Sequence, residues 1–205
     1  YKLGFHFRQN YLMEGVSYRK LFVDGAIPFK EADGLAFGYK SGWQYFTLKD
    51  ESGNEMPIYF TAGKHTITLT VTLGELSSYA KELKGITDTL GILYRKIVKI
   101  TGESPDANRD YEIFTAVPEL EGQLTDIHTK LEKLAKLSES IAGSSGGSNA
   151  QIMRKAAITI EQMLKVKYEA HTKISTFYDN YSSLCSWLYE MQNMALDIDS
   201  VIWTP

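Results

Sequence analysis

Gly63-Lys64-His65-Thr66-Ile67-Thr68-Leu69-Thr70-Val71-Thr72-Leu73-Gly74-Glu75-Leu76 contains the point at which the apolar period of the chain changes. Up to Leu73 it is two. Ile67, Leu69, Val71 and Leu73 fall on one face, and four threonines with Lys64 fall on the other, as in an antiparallel strand with one wetted side. Past Gly74 the apolar residues recur at alternating steps of three and four: Leu76, Tyr79, Leu83, Ile86, Leu90, Leu93, Ile97 and Ile100. That stripe predicts a helix of about 25 residues, roughly 38 Å long. Gly102 closes it, and Ser104-Pro105-Asp106 turns the chain. The chain is therefore α+β, with the two textures meeting at Gly74.

Upstream, Tyr1, Leu3, Phe5 and Phe7 alternate with Lys2, His6 and Arg8, which predicts a first strand. Shorter strands are expected at Arg19–Asp24, Gly34–Tyr39, Gln44–Lys49 and Met56–Thr61. Asp24-Gly25, Asp33-Gly34, Ser52-Gly53-Asn54 and Ala62-Gly63 supply the turns between them. Several short strands at this spacing predict an antiparallel β-sandwich or jelly roll.

Downstream, a second helix is expected from Pro118, with Leu120, Leu124, Ile127, Leu131, Leu134 and Ile141 on its stripe. Residues 143–149, Gly143-Ser144-Ser145-Gly146-Gly147-Ser148-Asn149, read as a flexible exposed loop. A third helix carries Ile152, Ala156, Ile160, Met163 and Leu164. A fourth carries Ile174, Phe177, Tyr181, Leu184, Leu188 and Met191. Four such stripes can be buried together in an antiparallel bundle or extended into a coiled-coil oligomer. Short, Gly-broken connections favour the bundle.

Strand texture returns in Leu196-Asp197-Ile198-Asp199-Ser200-Val201-Ile202-Trp203. With no local partner, this strand is expected beside the Gly63–Leu73 strand. The expected organisation is a β-sandwich of residues 1–73 plus 196–205, with a four-helix bundle of residues 74–195 inserted before the last strand.

Composition sets limits. The 205 residues are 43% hydrophobic and 23% charged with a net charge of −3, and no Lys/Arg cluster suits nucleic acid or anionic lipid. The single cysteine, Cys185, excludes an internal disulfide and a cysteine metal cluster, and its apolar helical setting predicts a buried structural thiol. No run of residues suits membrane insertion or a signal peptide. The opening inside a strand, without Met, suggests a segment of a larger protein whose address lies elsewhere.

Three passages carry a resemblance. Tyr1–Asn10 with Arg19-Lys20-Leu21-Phe22-Val23-Asp24-Gly25 resembles strands of galactose-binding-like jelly rolls, the architecture of many carbohydrate-binding modules. Gly63–Leu69 and Leu196-Asp197-Ile198-Asp199 resemble their closing strand pair. Leu73-Gly74-Glu75-Leu76, Leu93-Tyr94-Arg95-Lys96-Ile97, Ile100-Thr101-Gly102, Pro105-Asp106, Arg109-Asp110-Tyr111 and Phe177-Tyr178-Asp179-Asn180 resemble a helical insert. That insert is found in very large extracellular solute-binding lipoproteins of Firmicutes, of the ABC sugar-importer type. The resemblance implies a surface-attached accessory domain, in contact with other domains of its parent, from whose N-terminal side one or more strands are missing. It carries over no ligand.

The chemistry-bearing residues are sparse. His6, His65, His128 and His171 show no paired metal-ligand spacing, and His65 reads as a satisfied structural histidine in a strand. No nucleophile or phosphate-loop motif is present, and no cofactor is expected. Asp24, Asp50, Glu51 and Glu55 occupy turns, so no carboxylate pair is placed for glycoside hydrolysis. Asp197 and Asp199 share a strand face and suit either calcium or, preferably, a solvated edge. Carbohydrate would need flat rings beside planar hydrogen-bonding groups. Trp43 and Tyr45 are the best aromatic pair, and Arg8, Gln9, Asn10 and Tyr11 form a polar cluster at a strand end. Each has a plainer alternative that weighs more: Trp43 as a cap on the core, Arg8 as partner of a carboxylate. The expectation is thus a non-catalytic extracellular module with a glycan site on these residues, or else a spacer or protein-docking element with no small-molecule ligand.

Overall fold

The computed structural model describes residues 1–11, 15–142, 146–193 and 195–205. They form two compact units, Tyr1–Ser77 with Glu190–Pro205, and Ser78–Tyr189. The fold is α+β, with two antiparallel sheets and five helices.

The first unit contains β1 (Lys2–Gln9), β2 (Val16–Val23), β3 (Leu35–Gly38), β4 (Lys40–Thr47), β5 (Ile67–Thr72) and β6 (Asp197–Thr204). One sheet has the order β4-β1-β6 and the other β3-β2-β5. Alternation explains what each strand buries. Leu3, Phe5 and Phe7 of β1 point inward and meet Leu21 of β2, Leu35 and Phe37 of β3, and Leu48 and Ile58 in one core. Phe37 packs edge-on to Phe5 and Phe7 at 6.0 and 4.9 Å.

Several expectations need correction. The last strand does not return beside β5. It pairs antiparallel with β1, with Leu3 opposite Trp203 and Phe5 opposite Val201. β5 instead pairs with β2 in the other sheet, so the helices do not interrupt a hairpin. Met56–Thr61 forms no regular strand; bridges at Lys2–Pro57 and Lys49–Glu55 take its place. Val71, expected inside, is 52% exposed. It stands opposite Arg19 on β2, whose inward positions here are Arg19 and Ser17 rather than apolar residues. On the other side of β2 the core continues, since Leu35 and Phe37 of β3, opposite Arg19 and Ser17, are buried. Arg19 donates to Ser17 Oγ (2.7 Å) and the Tyr18 carbonyl (2.9 Å), and burial holds its guanidinium pKa below the ordinary value.

The change of period at Gly74 is a tight backbone feature. Gly74 has φ +50°, and a Cβ there would lie 2.7 Å from Tyr18 Cδ1, so only glycine fits.

The second unit is helical. α1 (Ser77–Thr101) buries Tyr79, Leu83, Ile86, Leu90, Leu93 and Ile97, the expected stripe. Gly102 ends it at φ +73°, its N–H donating to the Val98 carbonyl at 2.8 Å. A short α2 (Ile113–Ala116), which no long apolar period announces, precedes α3 (Leu120–Ala142). α4 (Ser148–Lys165) starts earlier than expected: Ser148 and Asn149 belong to the helix, and Asn149 is buried. Gly143, Ser144 and Ser145 of the expected loop lie outside the described residues, as does the side chain of Ile141. α4 buries Met153 and Ala157 in place of Ile152 and Leu164, which are half-buried. α5 (Ile174–Gln192) buries Ile174, Phe177, Leu184 and Leu188.

Side chains join the long helices pairwise. Tyr79 and Tyr94 of α1 meet Trp187 and Tyr178 of α5 at 5.4 and 4.9 Å, in opposite order along the two helices. Glu139 of α3 receives both guanidinium nitrogens of Arg154 on α4 at 2.7 Å. Asn180 of α5 donates to Thr159 Oγ1 of α4 at 2.8 Å.

Candidate functional site

The outer face of the sheet β4-β1-β6 collects the polar and aromatic residues of the first strand. Its positions follow from alternation: where Leu3, Phe5 and Phe7 go in, Lys2, His6 and Arg8 come out. His6 lies directly opposite Tyr45 on β4. The imidazole stacks on Tyr45 at 4.6 Å and on Trp43 at 5.1 Å, with interplanar angles of 25° and 30°. The Arg8 guanidinium lies 5.0 Å from the Trp43 ring centroid. The result is a ladder that alternates between the strands in the order Arg8, Trp43, His6, Tyr45. Such cross-strand stacks hold register through cation–π and ring contacts.

β6 supplies the anions. Asp197, opposite Arg8, accepts from Arg8 Nη2 at 2.8 Å and Nε at 3.2 Å, and from the Tyr11 hydroxyl at 2.7 Å. These bonds hold the Asp197 carboxyl below its ordinary pKa and raise those of Arg8 and Tyr11. One step along, β6 bulges: His6 pairs with Ser200 and Phe7 with Ile198, leaving Asp199 as the extra residue. Its carboxylate reaches His6 Nδ1 at 2.9 Å. Lys2 is matched by Glu55 at 2.8 Å. Lys2 and Arg8 thus each face a carboxylate, as does the His6 imidazole. The Asp197 and Asp199 carboxylates are turned to Arg8 and His6, and among the described residues no cluster of three metal-ligating groups exists.

Arg8, Tyr11, Trp43 and Tyr45 therefore lie together on one exposed face, with Asn10 exposed at the end of β1. Gln9 does not join them: it is fully buried, and its amide donates to the Gly15 carbonyl at 2.9 Å. Trp43 does not cap the core; it is 44% exposed on the far side of the sheet. Its ring is engaged by His6 and Arg8, whereas Tyr45, at the end of the ladder, is 71% exposed and carries the open ring face. His6 and Asp197 were missing from the expected site. The signal for His6 was its parity with Arg8 on one strand; Asp197 reaches the site through a pairing that no local pattern encodes.

The remaining chemistry-bearing groups have structural partners. His65 precedes β5 rather than lying in it. Its Nδ1 faces Asp24 Oδ2 at 2.7 Å and its Nε2 the Thr61 carbonyl at 2.9 Å, which raises its pKa; Asp24 also accepts from the Thr66 N–H. Asp50 accepts from the N–H groups of Ser52 and Asn54, closing its own turn. Glu51 faces Lys30 at 3.6 Å. Buried His171 donates to the Ala107 carbonyl at 3.1 Å. Cys185 is half-buried rather than buried, on α5 beside Tyr181. An open groove between α1 and α3, lined by Lys81, Glu82, Gly85, Asp126 and Lys130, carries no convergent constellation.

Residues 78–194, more than half of the chain and the whole of the helical unit, match the model of the bacterial solute-binding protein 4-helix bundle domain. The chain belongs to that family. No curated protein and no solved structure matches it. The match places the helical unit within a solute-binding protein family and leaves the aromatic ladder outside the matched residues. Among the described residues no helix is long and apolar enough to cross a membrane.

Proposed function

We propose that this chain is a non-catalytic accessory module of an extracellular bacterial solute-binding protein, whose β unit contacts carbohydrate through the outer face of the sheet β4-β1-β6. In this reading the β unit is a galactose-binding-like jelly roll, the long helices run as an antiparallel bundle, and the parent is held at the cell surface as a lipoprotein. The observation that carries the proposal is the open ring of Tyr45, 71% exposed and backed by the stacked imidazole of His6. A sugar presents an apolar CH patch ringed by hydroxyls, and a ring fixed from behind meets that patch with little ordering cost. Asp199 and Ser200, on β6 beside His6, offer polar groups to the hydroxyls. The pairing of Lys2 with Glu55 and Arg8 with Asp197 leaves no spare cation among these strand residues for an acidic sugar, and Asp199 adds a carboxylate beside His6, which suits a neutral sugar over an acidic one.

The test is an oligosaccharide array probed with the wild-type chain and with Tyr45→Ala. The expected outcome is retention of neutral glycans by the wild type and loss in the variant. Silence across the array, or signals that survive Tyr45→Ala, overturns the glycan site. The second reading, a spacer or docking element, rests on Ile92, Leu137 and Ile158, each exposed on a different helix. Single exposed apolar residues are ordinary on soluble proteins, so this support is thin.

A further inference from the structure

We infer that the outer face of the other sheet, β3-β2-β5, holds a separate saccharide site: a cavity over Tyr18 in which the Lys20–Asp33 pair takes two neighbouring hydroxyls of a neutral sugar ring. Alternation sets its floor. Ser17, Arg19 and Leu21 of β2 are buried on the inner side, so Tyr18 and Lys20 stand outward. Tyr18 lies between Ala36 of β3 and Thr72 of β5. With the 3-10 turn Lys30–Asp33 and Glu51, these residues line an open cavity of about 710 Å³. Small residues make the room. Ala36 carries only a methyl group, and a Cβ at Gly34 would meet nothing within 4 Å. Gly74 packs so closely on the Tyr18 ring, 2.7 Å from Cδ1 to the place a Cβ would take, that it fixes the ring from one side.

The lining selects the ligand by its chemistry. Lys20 and Lys30 share the cavity with three carboxylates, those of Glu31, Asp33 and Glu51. Lys20 Nζ lies 2.6 Å from Asp33 Oδ1, and Lys30 faces Glu51 at 3.6 Å. Both cations are therefore matched, and an anionic ligand finds no spare one. An ammonium beside a carboxylate is a donor next to an acceptor. Vicinal hydroxyls present the complement, one accepting from Lys20 while its neighbour donates to Asp33. The Tyr18 ring supplies apolar surface for the CH groups that carry those hydroxyls. A cavity of this volume suits a mono- or disaccharide. The inference does not rest on the Tyr45 site, which lies on β4 in the other sheet, and each stands without the other.

The experiment is a heteronuclear NMR titration of the whole chain with glucose, galactose, mannose, maltose, cellobiose and lactose, each taken to its solubility limit. The expected result is saturable shifts at Tyr18, Lys20, Gly34 and Ala36 with at least one of these sugars, retained in Tyr45→Ala. Ala36→Phe fills the cavity from an exposed strand position, and Asp33→Asn removes the charged acceptor. Each should weaken that binding at least about tenfold, the scale of one hydrogen bond to a charged group. Two variants are used so that misfolding of one, seen by circular dichroism, leaves the other decisive. Absence of saturable shifts at these residues with every sugar overturns the inference. So does binding that survives both cavity variants, or that disappears in Tyr45→Ala. Glucosamine and galacturonate are titrated in parallel, and a response to either of these charged sugars alone overturns the neutral ligand.

Discussion

The two units follow opposite rules. In the helical unit most of each long stripe written in the chain is buried, and Tyr79 and Tyr94 meet another helix. In the β unit much of the aromatic surface is left outside, gathered on one sheet face and along one edge. A helix settles its side-chain directions within a few residues, so its burial is a local matter. A sheet takes its partners from anywhere in the chain, and the choice of partner decides which residues come together. The contrast locates structure-keeping in the bundle and the candidate contacts with other molecules in the sheet.

The sharpest way to break this comparison is to damage each core separately. Phe37→Ala removes a ring held by Phe5 and Phe7, and should cost about 3–5 kcal/mol. Leu131→Ala in the bundle should cost about 2–5 kcal/mol. If the units have separate cores, calorimetry should show each substitution lowering a different part of the unfolding profile. A single transition lowered equally by both would merge the two regions into one cooperative structure.

The next effect is at the boundary between the textures. Gly74→Ala needs a left-handed backbone and drives a Cβ into the Tyr18 ring, so a loss of about 1–3 kcal/mol is expected in chemical denaturation. A neutral outcome would mean that the turn relaxes freely. Within the ladder, Trp43→Ala should cost about 0.5–1.5 kcal/mol, since it removes the ring between Arg8 and His6, while Tyr45→Ala at the open end should cost less. The reverse order would place the ladder's support at the Tyr45 end.

The smallest effect is a pH dependence. The Asp24 carboxylate and the Thr61 carbonyl both accept from the His65 imidazolium and raise its pKa above that of the unfolded chain. This contribution is fully present below the unfolded value near 6.5 and fades as pH rises through the raised one. An NMR titration of the four histidines should show His65 titrating above the ordinary range, and Asp24→Asn should bring it down.

The same contrast explains what could be read from residues alone. α1 was legible almost to the residue, because its stripe and Gly102 are both local signals. The exposed face of β1 was legible for the same reason, through the alternation of Lys2, His6 and Arg8. The partner of β6 was not: strand texture says that Leu196–Trp203 pairs, not with which strand, and the true partner β1 lies at the other end of the chain. Asp197 was seen as a carboxylate and weighed against calcium, but its service to Arg8 and Tyr11 depends on that pairing. Trp43 was ranked beside Tyr45 because sequence does not reveal that a neighbouring histidine and arginine use its ring.

The most direct test of the glycan site is a heteronuclear NMR titration of the whole chain with a neutral oligosaccharide retained on the array. The three tryptophan indoles serve as reporters: Trp43 in the ladder, Trp187 buried on α5, and Trp203 on β6. Saturable shifts at Tyr45, His6 and the Trp43 indole, with Trp187 and Trp203 still, are the expected result. Shifts centred on the helical unit, or none at any sugar concentration, would contradict the account.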